Sequence, residues 1–284
     1  MTVIRTAHRQ MGSKARMAHQ VAALCPRDTG IWVEVFAGTA AVTLAREPGR
    51  SVEHINDANG LITNLYRVMR DRQQLDELCK AIALTPYAQA EFEAAREIWS
   101  TPDADDIAPV ERARRLLVAS WQAIGGKQIR TANWRLDLGR SWLTATWRGV
   151  QDRLRATAER LMNVHVHQRH AFEMLAMFGG RQTATLYVDP PYPRETLGTH
   201  EVLYAVDMTP TEHVELIERV TRAQARIILS MSPCPLYDDA LSDAGWWSCD
   251  TPVRGLRNAV KIERIHCNFW PAPDLFSALP PVED

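Results

Sequence analysis

Apolar and polar positions alternate along this chain in short runs with two different periods. Ile31 to Phe36 (IWVEVF) is apolar and rich in β-formers, and it runs directly into Ala37-Gly38-Thr39. A helix rich in Ala and Val is predicted from Ala40 to Arg46. An alternating strand follows from Ser51 to Asn56 and ends at Asp57, and a helical run extends from Leu61 to Arg70. Strand, helix, strand, acid is the first half of a nucleotide-binding α/β sheet. Ahead of it, a helix from Ser13 to Leu24 is stopped by Cys25-Pro26. The rhythm returns late in the chain, with a helix from Val150 to Met162 and a strand at Val164 to Gln168. Strands at Thr185 to Asp189 and Ala225 to Ser230 then flank a helix from Thr211 to Thr221, and the last strand is predicted at Glu263 to Trp270.

The middle of the chain departs from this pattern. Leu75 to Ser100 and Val110 to Ile124 have helical periodicity, and Gly125 to Gly149 is a loop-rich tract crowded with Arg and Trp. The expectation is one α/β domain in two sequence pieces, 1–74 and 150–284, with a mainly helical insertion at 75–149. The 284 residues show no internal repeat and no low-complexity stretch.

Charge sharpens this division. The net charge is −1, yet between Glu111 and Arg160 eleven Arg or Lys stand against four acids, a local +7 that leaves −8 for the remainder. Such a segment contacts phosphate or forms solvated helix faces, and composition alone leaves both open. The five cysteines are scattered without a C-x-x-C pair, so neither a zinc site nor a disulfide framework is indicated. No metal is called for, and reduced thiols fit a cytoplasmic location. No apolar run is long enough to span a bilayer, and Met1 to Gln10 lacks a signal-peptide core, so a soluble protein with no membrane partner is expected.

The strongest chemical signal is Asp189-Pro190-Pro191-Tyr192, placed directly after the apolar strand LYVD. Consecutive prolines lack N–H groups and hold an extended backbone, which leaves their carbonyls without helix or sheet partners. A carboxylate, a free carbonyl and an aromatic ring are thereby fixed close together at the carboxyl end of a strand, where open α/β sheets bind ligands. Two acceptors suit the two hydrogens of an exocyclic amine, and the ring suits the base that carries it. The second signal is Glu34-Val35-Phe36-Ala37-Gly38-Thr39, whose small residues let the backbone approach a ligand. It lacks the full G-x-G-x-x-G pattern, which disfavours a pyrophosphate. Asp57 lies about 20 residues past the turn, where an acid accepts from ribose hydroxyls; the alternative role is a helix N-cap. A cofactor with adenosine and no pyrophosphate is the natural candidate.

In the order of these motifs the chain resembles the Dam class of DNA adenine methyltransferases. Met11-Gly12-Ser13-Lys14 is similar to that family's N-terminal G-G-K element, VEVFAGTAAV to its V-E-P-F-x-G-x-G-x-V, and Ile55-Asn56-Asp57-Ala58-Asn59 to its I-x-D-x-N; LYVDPPY closes the set. The resemblance covers roughly residues 10 to 70 and 150 to 235, and the insertion falls where the family carries target recognition. It implies a Rossmann-like sheet, S-adenosylmethionine as cofactor and double-stranded DNA as partner, in a monomer or a weak dimer. Gln10, Gly12, Lys14, Asp57 and Asp189 would contact the cofactor, and Glu34, Phe36, Ala37, Gly38 and Thr39 would line its methionine end. Tyr192 would stack on a flipped adenine whose amine Asp189 and the Pro190 carbonyl hold. His200 to Asp207 would belong to a mobile loop, with Tyr204 a DNA contact. Arg130, Asn133, Arg135, Arg140 and Arg148 of the basic segment are candidates for reading bases or phosphates, while Trp121, Trp134, Trp142 and Trp147 are assigned to the core. Departures from the family are Gln10 where an aromatic is common, Ala40 for the second glycine, and His170 near a usual acid. The rival readings are an RNA base methyltransferase, a cytosine amine methyltransferase, a non-catalytic DNA-binding relative and a domain for another nucleotide.

Overall fold

Alternating apolar side chains build one sheet from β1 (Ile31–Glu34), β2 (Val52–Asn56), β3 (Val164–His167), β4 (Ala184–Val188), β5 (Arg226–Met231), β6 (Trp247–Arg254) and β7 (Val260–Cys267). These strands belong to a computed structural model that describes residues 4–100, 106–136, 139, 142–196, 206–254 and 260–271. Their spatial order is β3-β2-β1-β4-β5-β7-β6. The strands from β3 to β5 are parallel, and β7 runs antiparallel to both β5 and β6. Chain order reverses between β1 and β4, which leaves a crevice outside their carboxyl ends.

Helices cover both faces. Val33, Leu186, Val188, Ile227 and Leu229 turn to one side and pack with residues of α9 (Ala171–Phe178), α10 (Pro210–Thr221) and α11 (Pro235–Asp243). Trp32, Tyr187, Ile228 and Ile265 turn to the other and meet α1 (Ala18–Ala23) and α2 (Ala41–Ala45). Beside them, Ile55 of β2 and Val164 of β3 pack with α3 (Gly60–Arg70), α4 (Arg72–Leu84), α6 (Pro109–Gln122) and α8 (Val150–Leu161). Leu78 of α4 and Leu116 of α6 lie in the same buried cluster as Leu44 and Ile55, so the inserted helices extend the core of the sheet instead of forming one of their own.

Several elements differ from expectation. The first predicted helix opens as a 3-10 turn at Lys14–Arg16 before α1. The run from Leu75 to Ser100 splits into α4 and α5 (Gln89–Arg96), because Pro86 cannot continue a helix. The loop-rich tract contains α7 (Trp142–Arg148). The last strand starts earlier and ends at Cys267, and the edge strand β6 beside it, with α9 and α11, was not anticipated; Pro252 is tolerated in β6 because an edge strand need not donate on both sides. Among the described residues no helix is long and apolar enough to cross a membrane.

Beneath the crevice lies a buried ion pair. Arg160 of α8 donates to both oxygens of Glu53 on β2, at 2.7 and 2.9 Å, and to the Thr43 carbonyl at 2.7 Å. The two side chains are 3% and 4% exposed. Arg46 adds a contact to Glu53 at 3.3 Å while its guanidinium lies 4.2 Å from the ring centre of Trp32. Removing one partner of such a pair leaves an uncompensated buried charge. Glu53→Gln is therefore expected to lower unfolding free energy by about 3–5 kcal/mol, measured by urea denaturation.

Candidate active site

The crevice is floored by the turn after β1. Val35 donates its N–H to the Tyr187 carbonyl at 2.9 Å, and Ala37 donates to the Asn56 carbonyl at 2.8 Å, which ties the turn to both neighbouring strands. Gly38 adopts φ +48° and Ala40 φ +53°. A Cβ on Gly38 would also stand 2.6 Å from Gln10 Oε1, so glycine here lets the Gln10 side chain pack against the turn. Ala40 takes the left-handed conformation at a cost of about 1–2 kcal/mol, the conformational role of the glycine it replaces. Asp57 braces this turn: Oδ2 accepts from the Gly38 N–H at 2.8 Å and Oδ1 from the Asn59 N–H at 2.8 Å. Asn59, not Asp57, caps α3, accepting from the Leu61 N–H at 3.0 Å, so the helix-cap alternative for Asp57 falls. Burial pushes the Asp57 carboxyl up to about 6 despite those two bonds.

Glu34 ends β1 fully buried. Its Oε2 accepts from the Thr43 N–H at 2.8 Å and from the Thr43 hydroxyl, which in turn accepts from Trp32 Nε1 at 2.8 Å. Burial raises this carboxyl to about 7. At the end of β4, Asp189 Oδ1 accepts from Lys14 Nζ at 2.7 Å and from Ser230 Oγ at 3.4 Å. Lys14 Nζ also donates to the Tyr192 hydroxyl at 2.8 Å, and Tyr192 donates to Glu263 of β7. Burial lifts Asp189 to about 6; the Lys14 charge opposes that rise and Glu263 adds to it. Among the described residues nothing donates to Asp189 Oδ2 or to the Pro190 carbonyl.

One cavity joins these parts. Its wall includes Gln10, Gly12, Lys14, Glu34, Phe36, Ala37, Gly38, Thr39, Asp57, Asp189, Pro190 and Tyr192. All the residues expected at the cofactor and at the reacting amine thus come together, although Lys14 spends its charge on Asp189 and Tyr192. Ser13, Asn59, Gln128 and Met208 line the wall as well and were not anticipated there, and His170, noted in the sequence as standing near a usual acid, joins them. His170 caps α9, its Nδ1 accepting from the Phe172 N–H at 3.3 Å. Gln128 arrives from the insertion, whose Gly126 carbonyl accepts from the Met11 N–H at 3.2 Å. Gln10 Oε1 and Gln128 Nε2 are buried without a hydrogen-bond partner. Of the expected covering loop, Val206 and Asp207 line the cavity; Tyr204 and its neighbours lie outside the described residues.

A model of the D12 class N6 adenine-specific DNA methyltransferase family matches residues 11–253. The chain belongs to that family. It is an enzyme that methylates the N6 amine of adenine in DNA, not an RNA base or a cytosine methyltransferase. No curated protein matches the chain.

On the far side of Tyr192 the methyltransferase has a second, wider cleft, lined by Arg5, Arg9, Trp121, Trp142, Arg153, Lys261 and Glu263 among others. Its cations crowd one another: the Arg9 guanidinium is held below its ordinary value by burial, then by Arg135, Arg153 and Arg16. Arg153 and Arg9 approach the Trp121 ring at 4.8 and 5.8 Å, and Arg135 lies 4.6 Å from the ring centre of Trp142. Trp121 and Trp147 are buried as expected, whereas Trp142 is 48% exposed and faces this cleft. Of the candidate DNA contacts, Arg135 joins the cluster around Arg9. Arg130 is exposed and paired with Glu97 at 2.8 Å, and Asn133 and Arg148 are exposed outside the cleft wall. Arg140 lies outside the described residues. Arg9 and Arg153 were not singled out in the sequence, since only folding brings them together. Among the described residues no cluster of three or more His, Cys, Asp or Glu is arranged to hold a metal ion.

The raised carboxyls predict a pH dependence of stability. A carboxyl whose folded value lies above its unfolded one binds its proton more tightly in the native state. Its contribution is therefore complete below the unfolded value and is lost as pH rises through the folded one. For Glu34 that window runs from 4.5 to about 7. In urea denaturation the wild type is expected to lose more stability across this window than Glu34→Gln, and equal slopes would refute the burial effect.

Proposed function

We propose that the cavity binds S-adenosylmethionine, its ribose at Asp57 and its methionine end along Glu34 to Thr39. On this proposal Asp189, the Pro190 carbonyl and Tyr192 hold an adenine flipped out of double-stranded DNA that lies in the basic cleft. The observation that carries it is a shared wall: the glycine turn, Asp57 and Asp189 face one cavity, and Tyr192 borders both that cavity and the cleft. The chain's groups suit such a ligand. The orphaned amide atoms of Gln10 and Gln128 await an external donor and acceptor, and the carboxyls of Glu34, Asp57, Asp189 and Asp207 in the wall suit a cationic molecule.

The bound cofactor supplies a methyl carbon made electrophilic by a sulfonium. The adenine amine is a weak nucleophile because its lone pair is delocalised into the ring. Asp189 Oδ2 and the Pro190 carbonyl, both free of described donors, accept its two hydrogens and favour a pyramidal nitrogen over a planar one. That interaction is stronger in the transition state than in the ground state, which is what accelerates a reaction. The Asp189 carboxylate would also meet the positive charge that appears on nitrogen as the carbon–sulfur bond breaks to leave a neutral thioether, and would take up the proton that the methylated amine sheds. Holding the two reactants in line contributes about 7 kcal/mol. Flipping the base costs a few kcal/mol, offset by phosphate contacts of the arginine cluster. The segment 75–149, which supplies Tyr87, Trp121, Trp142 and Arg135 to that cleft and its surroundings, is assigned to target recognition.

Sequencing DNA from cells that express the protein, with modified-base detection, is expected to reveal 6-methyladenine at one short sequence; its absence would sink the proposal. Asp189→Ala should lower the single-turnover methylation rate by at least about 100-fold, the scale of losing one preorganised polar contact to the transition state, in a variant whose circular-dichroism spectrum stays that of the folded chain. Gln128→Ala should weaken S-adenosylmethionine binding in calorimetry and leave duplex binding unchanged. Arg9→Ala and Arg153→Ala should do the reverse, each reducing the salt slope of DNA binding by about one.

A further inference from the structure

Glu263 lies on β7, about 70 residues after the Asp-Pro-Pro-Tyr turn, and no motif points to it. The fold nonetheless brings it against that turn. Tyr192 donates its hydroxyl hydrogen to Glu263 Oε1, and Lys14 Nζ stands 3.4 Å from the same oxygen while it bonds Asp189 Oδ1 at 2.7 Å and the Tyr192 hydroxyl at 2.8 Å. All four side chains are nearly buried: Lys14 is 7% exposed, Tyr192 9%, Glu263 11% and Asp189 17%. The lysine ammonium also lies 5.0 Å from the Tyr192 ring centre. A phenol free to rotate its ring sweeps a wide arc, whereas one anchored through its hydroxyl to a buried acid and a buried ammonium presents a single face. Two carboxylates sharing one ammonium also determine where that ammonium sits.

We propose that Glu263 is a positioning residue for methyl transfer: it anchors the Tyr192 hydroxyl and shares Lys14 with Asp189. Tyr192 is thereby locked in the orientation that stacks on the target base, and Lys14 is held on Asp189 Oδ1, leaving Oδ2 for the amine. The inference rests on the placement of the target adenine at Asp189 and Tyr192. The groups that face Asp189 are Lys14 from the N-terminal segment, Ser230 from β5, Glu263 from β7, Glu34 from β1 and Tyr187 from its own strand. Of these, Glu263 raises the Asp189 carboxyl and Lys14 lowers it. Removing the Glu263 charge therefore lets Asp189 ionise at lower pH even as the ring is released.

The test uses the full chain and a duplex carrying the methylation sequence found in expressing cells, with 2-aminopurine at the target adenine for the fluorescence arm. Glu263→Ala removes both the charge and the acceptor of the Tyr192 hydroxyl; it is expected to bind S-adenosylmethionine and duplex within about twofold of wild type by calorimetry, and to methylate about 10-fold more slowly in single turnovers at saturation. The acid limb of its rate should move to lower pH, and the 2-aminopurine emission of the ternary complex with S-adenosylhomocysteine should change. Tyr192→Phe removes the anchored hydroxyl and keeps the ring, so it should change the emission in the same way, and the double variant should add nothing further. Unchanged rate and emission in Glu263→Ala would overturn the proposal. So would an acid limb that stays in place, additive effects in the double variant, or a rate loss accounted for by weaker cofactor binding. If Glu263→Ala fails to fold, Tyr192→Phe decides alone: emission and rate equal to wild type would overturn the anchoring role. A lack of 6-methyladenine in expressing cells would instead sink the assignment of the site, and so separates the two failures.

Discussion

One buried ammonium holds the beginning, middle and end of this chain together. Lys14 comes from the N-terminal segment, Asp189 from the end of β4 and Glu263 from β7, and the lysine lies within 3.4 Å of both carboxylates. Taking a carboxylate out of water costs several kcal/mol, and the ammonium between the two acids offsets part of that cost. Two acids against one ammonium, with Asp57 and Glu34 in the wall of the same cavity, crowd carboxyl groups where these segments meet.

The same burial cost appears in the acids' proton affinities. Asp57, Asp189 and Glu34 all sit at about 6 or 7, lifted first by burial in each case. A fold kept for stability alone would replace such groups with apolar ones of similar volume. Here Asp57 and Glu34 are held in place by backbone N–H groups at Gly38, Asn59 and Thr43, and Asp189 by Lys14 Nζ and Ser230 Oγ.

Those parts of the site that rest on local chain chemistry were legible in the sequence. Apolar, β-rich runs marked β1 and β4 and alternation marked β2, the prolines marked a backbone that cannot pair, and Asp57 stood at its expected distance from the glycine turn. What escaped was everything that depends on distant chain segments meeting. Glu263 sits in a strand whose first three residues are exposed, and its pairing strand β6 carries Pro252, which argues against a strand when read in sequence. Gln128 is a polar residue in a loop-rich tract, and nothing in its neighbours announces that the Gly126 contact to Met11 turns it into the cavity. Arg9 and Arg153 are separated by most of the insertion and become neighbours only because both pack around Trp121. The basic segment drew attention to exposed loop arginines, whereas the crowded ones cluster where the N-terminal segment meets α8.

That meeting bears on how the two substrates communicate. Trp121 of α6 donates to the Ala7 carbonyl at 2.9 Å and Gly126 accepts from Met11, so the inserted helices grip the stretch of chain that leads into Gln10, Gly12 and Lys14. A Cβ on Gly126 would come within 3.2–3.4 Å of Arg9 and Gln10, which shows how closely the two backbones pass. The arginines that repel one another in the outer cleft lie on this same seam, Arg9 on one side and Arg135 and Arg153 on the other. An anionic duplex would relieve that repulsion by drawing both sides toward its phosphates, and any shift of Arg9 is passed to Gln10 next to it and to the lysine four residues further on. On the proposed placement of DNA and cofactor, the N-terminal segment from Gln10 to Lys14 borders both compartments, and Tyr192 stands where they meet.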